Sequence, residues 1–126
     1  MRAALDGSSP IFQQVKEAIE EEILRGKLAP EDQIPSNRKL VALWEVNPLT
    51  VMKGVQLLAD EGILYKKRGE GMFVAPDAPE RLRRRIGGGF VKDYVEPLVG
   101  LADALGIGLD GLCKQISAVW EELRND

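Results

Sequence analysis

Apolar residues recur at every fourth position from Ile11 through Val15, Ile19 and Ile23, while Glu17, Glu20, Glu21 and Glu22 fill the other faces. That period marks an amphipathic helix. Ser9 and Pro10 provide its start, a capping hydroxyl followed by a residue preset for the first helical position, and Gly26 provides its stop. The stretch from Lys27 to Ile34, with Pro30 and Asp32, reads as a loop. A second, short helix opens at Ser36, a good N-cap, turns Leu40, Leu43 and Trp44 inward, and ends near Val46. Asn47 and Pro48 repeat the cap-plus-proline signal and open a third helix to about Glu61, stopped by Gly62. With Val51 taken as inward, Gly54, Val55, Leu58 and Ala59 share its side, and Leu49, Lys53 and Gln56 point out. A glycine on that inward face gives up about 1 kcal/mol of helix propensity against alanine, so Gly54 is read as a point of close approach by a neighbouring helix.

The period then changes. Ile63 to Lys67 and Met72 to Ala75 are rich in β-formers and flank Arg68, Gly69, Glu70 and Gly71, which predicts a hairpin. Pro76 ends it, and Asp77 with Glu80 forms a capping box for a fourth helix carrying Leu82, Ile86, Phe90, Tyr94, Leu98, Leu101 and Leu105 up to Gly106. Gly87, Gly88 and Gly89 together cost roughly 2–3 kcal/mol of helix propensity, and Pro97 removes a backbone donor, so a bend or break is expected at one or both sites. A last helix starts between Gly108 and Asp110 and sets Leu112, Ile116, Val119, Trp120 and Leu123 on one stripe. Two short helices joined by a tight connection and followed by a hairpin make a winged helix-turn-helix, here expected over 9–76, with a helical segment over 77–126. The fold class is therefore mainly α with a small β-hairpin wing. The two C-terminal helices have apolar faces but too few residues for an independent core. A homodimer in which two copies bury Phe90, Tyr94, Leu98, Leu101, Leu105, Leu112, Ile116, Val119 and Trp120 is the economical solution.

The chain has 126 residues, room for one ordinary domain or a small one with an appendage, and a net charge of −3. That charge argues against a nucleic-acid partner until its distribution is considered. Residues 35 to 85 carry 10 basic and 6 acidic side chains, whereas residues 1 to 34 carry 4 and 7, and residues 86 to 126 carry 3 and 7. Positive charge is concentrated on the helix-turn-helix and wing, where phosphates would be met. No apolar run approaches the ~20 residues that span a bilayer. The stretch around Arg2 lacks the apolar core of a signal peptide, so a cytoplasmic protein is expected without a membrane partner. Histidine is absent and Cys113 is the single cysteine, which removes the usual general base, the commonest metal ligand and any thiolate cluster. No catalytic residue, metal site or cofactor is expected. Cys113, on an apolar stripe, reads as a small core residue.

Arg38 and Lys39 sit in the first turn of the second helix, where the helix dipole disfavours cations by about 0.3–1 kcal/mol each. A DNA phosphate at the helix start set by Ser36 would reverse that cost; Arg38 is assigned this contact, and Lys39 is balanced between phosphate and water. Asn47, Pro48, Leu49, Thr50 and Lys53 form the exposed start of the third helix, the part a recognition helix presents to base edges. Thr50 can reach a phosphate or thymine methyl, Lys53 a phosphate or guanine, and Leu49 only apolar groups, while Asn47 mainly caps. Lys67, Arg68 and Gly69, with Lys66, lie at the hairpin tip, where arginine can enter a narrow minor groove. Arg81, Arg83, Arg84 and Arg85 read as a solvated face or as partners for acidic residues of a second subunit.

These residues carry a resemblance to the GntR family of bacterial transcription regulators. Pro10-Ile-Phe-Gln-Gln-Val resembles the family's opening helix. Gly26-Lys-Leu-Ala-Pro and Ile34-Pro-Ser-Asn-Arg-Lys-Leu are similar to its loop and second helix. Val46-Asn-Pro-Leu-Thr-Val-Met-Lys and Leu57-Leu-Ala-Asp-Glu-Gly-Ile-Leu resemble the recognition helix and its exit, and Arg68-Gly-Glu-Gly-Met-Phe-Val the wing. Phe90, Tyr94, Pro97-Leu98 and Ala104-Leu105-Gly106-Ile107 are similar to the short tail of the YtrA-type subfamily, which dimerises and lacks an effector domain. The resemblance matches the family's helix-two arginine to Arg38, its recognition-helix threonine to Thr50 and its wing glycine to Gly69. It departs at Leu49, Met52 and Lys53, where others carry polar residues or arginine, and at Gly87 to Gly89, where a helix is usually continuous.

The expectation is a homodimeric repressor that binds double-stranded DNA at an inverted repeat, with a recognition helix at about 47–61 and a wing at about 63–75. A winged-helix adaptor that binds protein and no nucleic acid is the alternative, and local basicity argues against it. No polar cluster marks a small-molecule pocket, so an effector is left unspecified.

Overall fold

The structure is a computed structural model that describes residue 5, residue 7 and residues 9 to 125; the reading around Arg2 lies outside them. In order along the chain come α1 (Ile11–Leu24), α2 (Asn37–Trp44), α3 (Pro48–Asp60), β1 (Leu64–Lys67), β2 (Gly71–Val74), α4 (Ala78–Gly88), a π-helical turn (Val91–Val95), α5 (Glu96–Ala104) and α6 (Leu109–Arg124). Two compact units divide after Gly87. The sequence boundary at Pro76 therefore falls short of the structural one, because Ala78 and Leu82 of α4 are fully buried in the core of the first unit.

That core gathers the inward stripes of the first three helices with the hairpin. Val15, Ile19 and Ile23 of α1, Leu40 and Trp44 of α2, Val51, Val55 and Leu58 of α3, and Leu64 and Val74 of the ribbon form one cluster. An ideal Cβ on Gly54 would stand 2.7 Å from the Phe12 carbonyl oxygen and 2.7 Å from Val15 Cγ1, so α3 crosses α1 at a distance only glycine permits. The stops are those expected. Gly26 and Gly62 take φ of 78° and 75°, and the amides just beyond them reach back to Glu22 and Leu58, satisfying the last carbonyls of α1 and α3.

The ribbon pairs antiparallel, with Leu64 opposite Val74 and Lys67 opposite Gly71. The α1–α2 loop adds a third edge to it. Gln33 bridges Phe73, the Ile34 amide donates to Met72, and the Val74 amide donates to Asp32. The wing is thereby tied to the base of the helix-turn-helix.

Four expectations about the first unit are corrected. Pro10 is the N-cap of α1, and Ser9 does not cap; the extended ψ of 139° at Pro10 delays the helix by one residue, and the Gln14 side chain donates from Nε2 to the Ser9 carbonyl at 2.8 Å. Leu43 is 42% exposed. Leu40, Trp44 and half-buried Val41 define the inward side of α2, and at ~100° per residue Leu43 falls well off it. Glu20 and Glu22 are buried and do not face solvent. Glu20 is compensated by Lys16 at 3.3 Å and by Arg85. Arg81 and Arg85 find their oxygen partners within their own chain, on Glu20, Glu61 and Gly62, and do not wait for a second subunit.

The expected long fourth helix is interrupted. After the turn at Gly89, the Glu96 amide donates to the Val91 carbonyl five residues back, which widens the helix just where Pro97 has no N–H to contribute. In the second unit only Ala102 and Leu112 are buried among the described residues, and Cys113 is exposed, correcting its reading as a core residue. Leu112 is thus covered by its own chain, in contrast to the other residues expected to await a partner. It lines an apolar groove of about 350 Å³ with Leu98, Gln115, Ile116, Val119, Trp120 and Leu123. No helix among the described residues is long and apolar enough to cross a membrane.

Candidate nucleic-acid interface

The first helix of the candidate surface starts on a side-chain cap. Ser36 Oγ accepts from the Lys39 amide at 3.3 Å, which fixes the first turn of α2 and leaves Ser36, Arg38 and Lys39 exposed at its start. Glu45 closes α2 in the left-handed region, at φ of 52°, and turns the chain sharply into α3. There Asn47 Oδ1 accepts from the Leu49 amide at 2.8 Å and Pro48 occupies the first turn. The cap-plus-proline pattern thus does locally what the sequence implied.

The inward anchors Val51, Gly54, Val55 and Leu58 decide which side of α3 remains free. Asn47, Pro48, Leu49 and Lys53 are exposed and Thr50 is half-buried. Leu49 is 71% exposed and Met52 50%, so an apolar patch lies beside the polar groups. No interior contact accounts for Leu49. Lys53 is not a freely waving cation: its ammonium sits 3.8 Å from the centroid of the Phe12 ring, an attraction that holds the charge close to the surface of α1.

At the wing, Arg68 and Gly69 are exposed at the turn. Lys67 is half-buried, its ammonium 4.2 Å from the Phe73 centroid, so it lies along the ribbon and not at the tip with Arg68. The tip is held from outside the hairpin. Gln33 Nε2 donates to the Glu70 carbonyl at 2.6 Å, and Tyr65 donates its hydroxyl to the Glu31 carboxylate. That hydrogen bond, with smaller contributions from desolvation and the charges of Glu31 and Glu70, pushes the Tyr65 phenol above its ordinary value.

All the sequence-predicted DNA-facing residues therefore lie on the surface of the first unit, on α2, α3 and the wing. Phe12, Gln33 and Glu31 were missed. Each acts through a partner remote in sequence, and no spacing rule within one element signals them. The electrostatics also sharpen. Of the basic residues between 35 and 85, Arg81 and Arg85 are occupied by internal oxygens and Arg84 pairs with Glu80 at 3.3 Å. Arg38, Lys39, Lys53, Lys66, Lys67 and Arg68 remain on the helix-turn-helix and wing. This surface carries an exposed recognition-helix start, flanking cations and a glycine-bearing tip, which suits a duplex and offers no assembled nucleophile or base.

Comparison with known proteins agrees. Residues 11–74 match the bacterial regulatory proteins of the gntR family. The transcriptional repressor YtrA of Bacillus subtilis (strain 168) is 33% identical over 116 residues, covering 88% of this chain and 87% of that protein. Against one longer curated repressor the chain is 40% identical over 67 residues and spans 28% of that protein's length. Among solved structures, a GntR family transcriptional regulator from Listeria monocytogenes is similar over 90% of this chain and 98% of its own, with 27% identity and a TM-score of 0.70. The DNA-binding domain of AraR in complex with operator ORX1 is similar over 57% of this chain and 94% of its own, with 35% identity and a TM-score of 0.54. The chain belongs to the GntR family of bacterial regulatory proteins: it is a winged helix-turn-helix, DNA-binding transcriptional regulator and not an enzyme.

Proposed function

We propose that the protein is a homodimeric repressor that occupies an inverted-repeat operator. In each copy α3 enters the major groove, with Thr50, Lys53 and Leu49 at base edges and Asn47 and Pro48 setting the helix start. Ser36, Arg38 and Lys39 hold a phosphate at the start of α2, and Lys67, Arg68 and Gly69 bring the wing to the backbone and minor groove. Repression follows from occupancy of a promoter, as the likeness to YtrA supports. Such a regulator works in the cytoplasm, beside the chromosome.

The observation that carries the two-copy reading is the apolar surface of the second unit. Phe90, Tyr94, Leu98, Leu101, Leu105, Ile116, Val119 and Trp120 are all exposed, with Trp120 at 57%. A monomeric soluble protein rarely presents a contiguous apolar face of that kind. A second copy supplies a matching one, and an isologous pairing closes on itself. The segment that follows the winged core is accordingly the dimerisation segment.

A mobility-shift titration with a promoter fragment from upstream of the protein's own coding region, in excess competitor DNA, tests this. A discrete complex that survives competition supports the reading. A chain that shifts nothing in dilute buffer, yet stays folded, would leave the protein-binding adaptor as the better description.

A further inference from the structure

The recognition helix holds out a pair of apolar side chains from its first turns. Val51, Gly54, Val55 and Leu58 bind α3 to the core, and on the free side Leu49 is 71% exposed and Met52 50%. Among the described residues that form or pad the core of the winged unit, neither Leu49 nor Met52 is found. Three residues apart on a helix, the two side chains are neighbours on one face. Both follow directly from the helix start that Asn47 caps and Pro48 occupies.

The polar side chains beside them are engaged by the protein itself. Lys53 keeps its ammonium 3.8 Å from the centroid of the Phe12 ring, on the α1 side, and Gln56 donates its side-chain amide to Asp60 Oδ1 at 2.8 Å. What the helix start offers is therefore hydrocarbon. Cations surround it, with Arg38 and Lys39 exposed at the start of α2 and Arg68 at the wing turn. An occupant that suits this surface carries phosphate charge at its rim and an apolar group at its centre. Among the four unmodified bases, one group on the major-groove edge is apolar: the C5 methyl of thymine. Cytosine and adenine present amino donors there and guanine a carbonyl, which an apolar side chain strips of water without replacing the hydrogen bond.

We infer that Leu49 and Met52 are specificity-determining residues that read thymine by its C5 methyl, so that the operator carries thymine at the steps these two side chains cover. The inference rests on the proposed entry of α3 into the major groove and adds the base that the helix selects. A methyl taken out of water between the two side chains is worth about fourfold in affinity.

The test uses the full chain and an operator selected by it from random-sequence duplexes, in which each thymine in turn is replaced by deoxyuridine. That exchange deletes the C5 methyl and keeps the base pair. Anisotropy titration of the unaltered chain should show about a fourfold loss at one or two thymines of a half-site and less than about twofold elsewhere. L49A/M52A should bind the thymine operator more weakly and lose the sensitivity, binding thymine and deoxyuridine duplexes alike, whereas R38A should weaken both and keep their ratio. Both altered side chains are exposed, so the unfolding midpoint should hold. A selected operator that is bound specifically yet has no methyl-sensitive thymine overturns the inference. So does a deoxyuridine loss that persists in L49A/M52A, which would pass the contact to Thr50, or a changed sedimenting species with the ratio intact, which would assign the patch to a second copy. Should the double variant fail to fold, L49A and M52A are read singly by the same ratio, and a full deoxyuridine loss in both overturns the assignment. A chain that selects no duplex at all contradicts the major-groove reading itself, so the two failures are distinct.

Discussion

The two halves of this chain obey the same sequence rules and reach opposite ends. In the first unit, helical stripes on α1, α2 and α3 meet one another and the ribbon, and Val15, Ile19, Val51, Leu58 and Val74 lose essentially all contact with solvent. In the second, stripes as regular as these leave Val99, Leu101, Leu105, Val119 and Leu123 exposed. An amphipathic period says that a face will be buried but not by what. The winged unit finds its cover within the chain, and the tail, by our proposal, finds it in another copy.

The sharpest way to break that contrast is to remove core from each side. L58A should cost about 2–5 kcal/mol of unfolding free energy, because Leu58 is fully enclosed, and G54A should also destabilise because its new methyl has no room against Val15. Both are read by denaturant unfolding. An equally large loss from L123A in dilute solution would mean that the tail is a self-sufficient core. W120D is expected to act on association instead, shifting the sedimenting species to a single chain while the circular dichroism of the winged unit persists. A W120D chain that still pairs would move the dimer contact elsewhere.

Smaller effects probe the DNA face of the winged unit. R38A and T50A should each weaken operator binding by about 1–3 kcal/mol per contact without changing unfolding midpoints, read by fluorescence anisotropy. Raising salt from 50 to 200 mM should cost about 10³–10⁵ in affinity if 6–10 phosphates are neutralised by the pair. A flat response would detach Arg38, Lys39 and the wing from the backbone. The least change is expected from S36A, which removes the cap on the Lys39 amide and should cost about 1 kcal/mol of stability.

Legibility in the sequence followed the range of the interaction. The caps at Ser36 and Asn47, the stops at Gly26 and Gly62, the hairpin and the close approach at Gly54 are decided within a few residues, and all were readable. The interruption near Gly87–Gly89 and Pro97 was readable too, although its π-helical form was not. Burial of Glu20 was hidden because its partner Arg85 stands 65 residues away on another element. Lys53 over Phe12, and Gln33 on the wing tip, were hidden for the same reason. Leu43 misled because in so short a helix its three apolar neighbours Leu40, Val41 and Trp44 already set the inward direction, and at ~100° per residue Leu43 lies well off it.

The most direct test of the account is the mass of the saturated complex between the full chain and one selected operator duplex, measured by sedimentation equilibrium. Two chains per duplex, with no intermediate of one chain at limiting protein, is the expected result. Saturation at one chain per duplex would contradict it.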